Sequence, residues 1–103
     1  MAKLERNLAR QIDEYLKDNG IYKLNTNGCA VAGTPDRLVC YKGVFVALEL
    51  KSDTGKLTLM QKYVLKQISD SGGRAYVIRS VDELRSTLAR LDNAIGKRKR
   101  GEK

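Results

Sequence analysis

The chain has no histidine and no tryptophan, and only one proline, one phenylalanine and two cysteines in 103 residues. Without histidine, Ser-His and Cys-His nucleophilic catalysis, His-ligated zinc and His-ligated haem are excluded together. Cys29 and Cys40 are too few and too far apart for a disulfide framework or a four-ligand zinc site, and they read as buried reduced thiols. No apolar run approaches the roughly 18 residues needed to span a membrane. Met1-Ala2-Lys3-Leu4-Glu5 lacks the apolar stretch of a signal peptide, so an intracellular protein is expected. Any chemistry must rest on carboxylates, lysine and a hard metal, or there is none.

What the chain has instead is positive charge. Twenty Lys and Arg against twelve Asp and Glu leave a net charge of +8, and the sequence pI is about 9.7. An anionic partner follows, nucleic acid being the usual one, with a basic surface kept for solubility as the bland alternative. With 42% apolar and 31% charged residues the chain is too hydrophobic to be wholly disordered. One domain is expected over residues 1–96. Residues 97–103 hold five Lys and Arg and one Glu, a net +4 with nothing apolar to bury, and read as a disordered basic tail.

Leu4, Leu8, Ile12, Tyr15 and Leu16 recur at helical spacing, so an amphipathic helix is predicted from about residue 3 to 18, stopped by Asn19-Gly20. Ile21–Leu24 is open to a short strand. Arg37–Tyr41 and Val44–Leu50 are β-rich runs separated only by Lys42-Gly43, a hairpin signal. Thr58-x-x-Gln61 is a capping box that starts a helix broken at Gly72-Gly73. Ala75–Ile78 reads as a buried strand. Ser80-x-x-Glu83 is a second capping box, leading a helix marked by Leu84, Leu88, Leu91 and Ile95. The strand–helix–strand unit from Val44 to Ile78 should be parallel, giving a small mixed sheet with helices packed on it.

Alternation puts Phe45, Ala47, Glu49 and Lys51 on one face of their strand. If Lys42-Gly43 is a two-residue loop, paired residue numbers sum to 85 and Asp36 falls opposite Glu49, with Cβ atoms about 4.5–5.5 Å apart. Two carboxylates so placed repel unless a cation sits between them. Oxygen ligands at that spacing suit Mg²⁺ or Mn²⁺. Lys51 could orient or deprotonate a water, or stabilise the charge that develops when a phosphodiester is attacked. Glu5 lies inside the apolar stripe of the first helix, which calls for a partner; equally, a first-turn acid can reach solvent and favour the helix dipole. Glu-x-Lys alone says little. Gly33-Thr34-Pro35-Asp36, a hairpin-length gap and then Glu49-Leu50-Lys51 at a strand end is far more specific.

These residues resemble the PD-(D/E)XK nuclease superfamily, and more narrowly its virus-type replication-repair nuclease (VRR-NUC) domain. Gly33–Arg37, Val46–Lys51, Gly55-Lys56-Leu57 and Gln61 carry the likeness, over about residues 4 to 83. The resemblance implies an α/β fold with a restriction-endonuclease-like αβββαβ core, here with an extra C-terminal helix. It implies Asp36, Glu49 and the Leu50 carbonyl as metal ligands, completed or supported by Glu5, with Lys51 catalytic and Gln61 near the active centre beside its capping role. Lys23 resembles a basic residue ahead of the Gly-x-Pro-Asp element. The activity implied is metal-dependent cutting of DNA, branched, flapped or Holliday-junction-like, by a homodimer that supplies two sites. Set against it are a non-catalytic nucleic-acid-binding module and a nuclease subunit active only with a partner.

Overall fold

The periodic N-terminal segment forms helix α1 (Lys3–Asp18) in the computed structural model, which describes residues 3–26 and 31–101. The helix ends in a Schellman motif: Ile21 N–H donates to the Leu16 carbonyl at 2.9 Å and Gly20 N–H to that of Lys17 at 3.1 Å. Strand β1 (Tyr22–Asn25) follows, one residue later than the apolar run suggested. Strands β2 (Arg37–Tyr41) and β3 (Val44–Leu50) make the hairpin, helix α2 (Leu59–Asp70) crosses over to β4 (Arg74–Ile78), and α3 (Val81–Gly101) closes the chain.

One mixed sheet of order β1-β2-β3-β4 results. Its first three strands are antiparallel and β4 is parallel to β3, with Leu50 paired to Ile78. The hairpin register is the predicted one, Tyr41 opposite Val44 and Arg37 opposite Leu48. The turn holds it there, because Lys42 (φ 51°) and Gly43 (φ 81°) both take the left-handed conformation, whose twist matches that of the strands.

Helices α1 and α3 cover one face of the sheet. Ile12 and Leu16 of α1, Val46 and Leu48 of β3, Ile78 of β4 and Leu84 of α3 are fully buried there. Each contributes about 1.5–3 kcal/mol relative to exposure. Helix α2 lies on the other face, where Gly73 brings its end against Ile68 and Phe45. It buries none of its own side chains, so much of that face stays open. Tyr22, Leu24 and Phe45 are at least half exposed on it.

Three expectations change. Cys40 is exposed, because the register puts it beside Tyr22 and Phe45 on the open face; Cys29 lies outside the described residues. The backbone of α3 runs on to Gly101, where a disordered tail was expected from Lys97; Lys and Arg are good helix formers and suit a helix C-terminus. At the start of α3, Ser80 caps Glu83 N–H as predicted, but the Glu83 carboxylate reaches back to Arg79 N–H rather than to that of Ser80. Among the described residues no helix is long and apolar enough to cross a membrane.

Candidate active site

Asp36 precedes β2 by one residue and does a strand's work with its side chain. Its Oδ2 accepts the Leu50 N–H at 2.8 Å, extending the β2–β3 contact by a residue beyond the ladder. Its carbonyl accepts Arg37 Nη1 at 2.7 Å and Thr26 N–H at 3.2 Å. The chain before it is pinned as well. Gly33 (φ 80°) sits so close to α2 that a Cβ would lie 2.7–2.9 Å from Met60 atoms, a contact only glycine permits.

Glu49 is 2% exposed. Its Oε1 accepts Gln61 Nε2 at 3.2 Å, while its Oε2, also buried, has no hydrogen-bond partner among the described residues. Burial pushes the Glu49 carboxyl up to about 8 from an ordinary 4.5, helped by the neighbouring Asp36 carboxylate; Lys51 pulls the other way and Glu5 adds to the rise.

The remaining candidates gather around this pair. Lys51 is half-buried, and its backbone N–H is anchored on the Ile78 carbonyl at 3.1 Å. Gln61 caps α2 and also touches Glu49. Its Oε1 accepts Thr58 N–H and its N–H donates to Thr58 Oγ1, completing the capping box, while its Nε2 reaches Glu49. Glu5 is half-buried at the start of α1 and acts on Glu49 through its charge. Leu50 is fixed beside Asp36 by its N–H. Lys23 is held on the α1 face, where it pairs with Asp13 at 3.3 Å and donates to Asn25 at 2.8 Å.

Among the described residues, no three His, Cys, Asp or Glu side chains come together as a metal-binding group. The side-chain donors for a cation are therefore the Asp36–Glu49 pair, with Glu5 standing off. The pair itself fits a divalent cation, because a buried unpaired carboxylate oxygen and a raised pKa are both relieved by positive charge at that point.

Two arrangements escaped sequence reasoning. Arg37, 2% exposed, forks onto Asp13 with Nε and Nη2 at 2.8 and 3.0 Å. Burial alone would lift the Asp13 carboxyl; the hydrogen bonds and charge of Arg37, then those of Lys23, outweigh it and hold the pKa below the usual range. Strand alternation was the available signal, since Arg37 shares its face with Val39 and Tyr41. Arg79, just after β4, donates to the carbonyls of Ser52 at 2.5 Å and Gly55 at 2.8 Å. It thereby holds the loop that follows Lys51. Nothing in that loop's composition announces this.

The element order and the mixed sheet give an α/β fold with a restriction-endonuclease-like core. No protein-family model matches the chain, and no curated protein matches it in sequence. Among solved structures, one described as a "VRR_NUC domain" superposes with a TM-score of 0.74 at 20% identity, over 85% of this chain and 97% of that one. A second, a "VRR_NUC domain protein", gives 0.64 at 18% identity over 87% and 88%. The fold is that of a VRR-NUC domain.

Proposed function

We propose that the protein is a divalent-metal-dependent DNA endonuclease. The observation that carries this reading is the buried, half-satisfied Glu49 beside Asp36 and Lys51 at the end of β3, in a chain with the fold of a VRR-NUC domain. Asp36 and Glu49 would hold Mg²⁺ or Mn²⁺ together with the Leu50 carbonyl, and Glu5 would add negative charge from α1. A bound divalent cation supplies Lewis acidity and neutralises charge on the scissile phosphate. Lys51 orients the attacking water, takes its proton, or stabilises the charge that builds on the phosphorus oxygens. Gln61 holds Glu49 Oε1, which leaves Oε2 free for the cation. Water is consumed, the P–O bond breaks, and the leaving oxygen takes a proton.

The preferred substrate is branched DNA, flapped or four-way, cut by a homodimer that supplies two sites. The exposed apolar residues Tyr22, Leu24 and Phe45, with Leu38 and Cys40 between them, support a self-association face. Sedimentation of the wild type should give a dimer, and Phe45→Asp a monomer. A second reading has one observation in its favour: Asp36 Oδ2 is committed to Leu50 N–H and, among the described residues, only two carboxylates converge. That suits a subunit whose ligand set a partner completes.

A panel of four-way junction, flap, nicked, single-stranded and duplex DNA with Mg²⁺ or Mn²⁺ decides between them. Cutting that disappears in Asp36→Ala and Lys51→Ala while binding survives supports the endonuclease. Binding without cutting on every substrate favours the binding module or the partner-dependent subunit.

A further inference from the structure

Between α1 and β1 runs an open cleft of about 700 Å³ that the proposed chemistry does not use. Five cations line it: Arg6, Arg10 and Lys17 from α1, Lys23 from β1 and Arg37 from β2. Two acids, Asp13 and Glu14, also line it, and both are already engaged. Asp13 is forked by Arg37 and paired with Lys23, and Glu14 faces Arg10 at 3.5 Å. The cleft is left with a net charge of +3, and Arg6 and Lys17 have no acidic partner among the described residues.

The cleft also points at the site. Arg6 follows Glu5, whose charge reaches Glu49, and Asn25 pairs with Arg37, the neighbour of Asp36. From there the cleft follows α1 to Lys17 and the start of β1. The eleven helical steps from Arg6 to Lys17 span about 16 Å, the axial rise of roughly five nucleotides of one strand. Unpaired cations toward both ends of a cleft of net positive charge suit a sugar-phosphate backbone.

We infer that the α1–β1 cleft is a nucleic-acid backbone track, leading one strand away from the Asp36–Glu49–Lys51 site. The inference rests on the nuclease reading for its direction but is tested by binding alone. Fluorescent single strand, linear duplex and four-way junction are titrated with the full chain in EDTA. Arg6→Gln with Lys17→Gln, both exposed positions, should weaken binding about tenfold at roughly 100 mM salt and reduce the slope of log K against log salt by about 1.4–1.8. Arg6→Lys with Lys17→Arg keeps the charge and should restore both quantities. Lys42→Gln with Lys66→Gln removes equal charge elsewhere and should change affinity less than about twofold. A track variant that binds like the wild type overturns the inference, as does a wild type that binds none of the three DNAs. Track-dependent binding without cutting under either metal overturns the nuclease reading and leaves the track standing.

Discussion

Two charges are buried to the same 2% exposure one register step apart, Arg37 opposite Leu48 and Glu49 next to Leu48, and they are treated oppositely. Arg37 faces the α1 side with a full complement: both oxygens of Asp13 and the Asp36 carbonyl accept from it. Glu49 faces the α2 side with one oxygen held by Gln61 and the other unpaired among the described residues. A buried charge with every polar atom matched is a girder. One left incomplete beside a second carboxylate is costly unless something binds there. The difference separates a charge that builds the domain from one that a bound ligand could complete.

The comparison can be broken at its strongest point first. Glu49→Gln, and separately Lys51→Ala, should reduce cutting about 10³-fold. Glu49→Gln should leave the metal-free protein at least as stable as wild type above pH 8, read by thermal unfolding. A Glu49→Gln variant that cuts normally would show the incomplete charge to be mere imperfection.

Next comes pH. The folded Glu49 pKa of about 8 lies above its ordinary 4.5, so between those values the folded protein holds a proton the unfolded chain has lost. Stability of the metal-free protein contributed by this group is therefore present at low pH, falls as pH rises through that window, and levels off above it. A cation must displace the same proton, so apparent Mg²⁺ affinity should climb up to about tenfold per pH unit below pH 8 and then flatten. Calorimetric titration checks this, and Glu49→Gln should erase the slope.

On the other face, Asp13→Ala strands a buried guanidinium. It should cost about 2–3 kcal/mol in urea unfolding, less than a fully buried pair because Asp13 is partly exposed. The smallest effect is Thr58→Ala, which should cost about 1 kcal/mol through the lost helix cap. It should leave cutting nearly unchanged, since the Thr58 backbone N–H that holds Gln61 Oε1 survives the substitution and only the bond from Gln61 N–H to Thr58 Oγ1 is lost.

How far these residues could be read from the sequence depends on how local their causes are. The pairing of Tyr41 with Val44 is set by two adjacent turn residues, so the neighbourhood of Asp36 and Glu49 followed by counting. Thr58 and Gln61 are three residues apart and carry their own geometry. Arg37 and Asp13 are 24 residues apart, and their meeting depends on how α1 lies across the sheet, which no local pattern encodes. Arg79 reaches carbonyls 24 and 27 residues back and was invisible for the same reason. Cys40 is a different kind of miss. Its face followed from the register, but a thiol's habit of burial outweighed the alternation. Glu5 stood open between solvent and site, and the structure gives it some of each.

Helix α2 buries no side chain, and that has a consequence for how firmly the site is held. Opening costs least where fewest apolar contacts are lost. Amide protons of α2 should therefore exchange with solvent ahead of those of β3, whose residues Val46 to Leu50 are all buried. Asp36, Glu49 and Lys51 then keep their positions through such openings, because the sheet carries them, while Gln61 departs and returns with its helix. The site has a fixed half and a hinged half, and the oxygen of Glu49 that Gln61 holds is intermittently released.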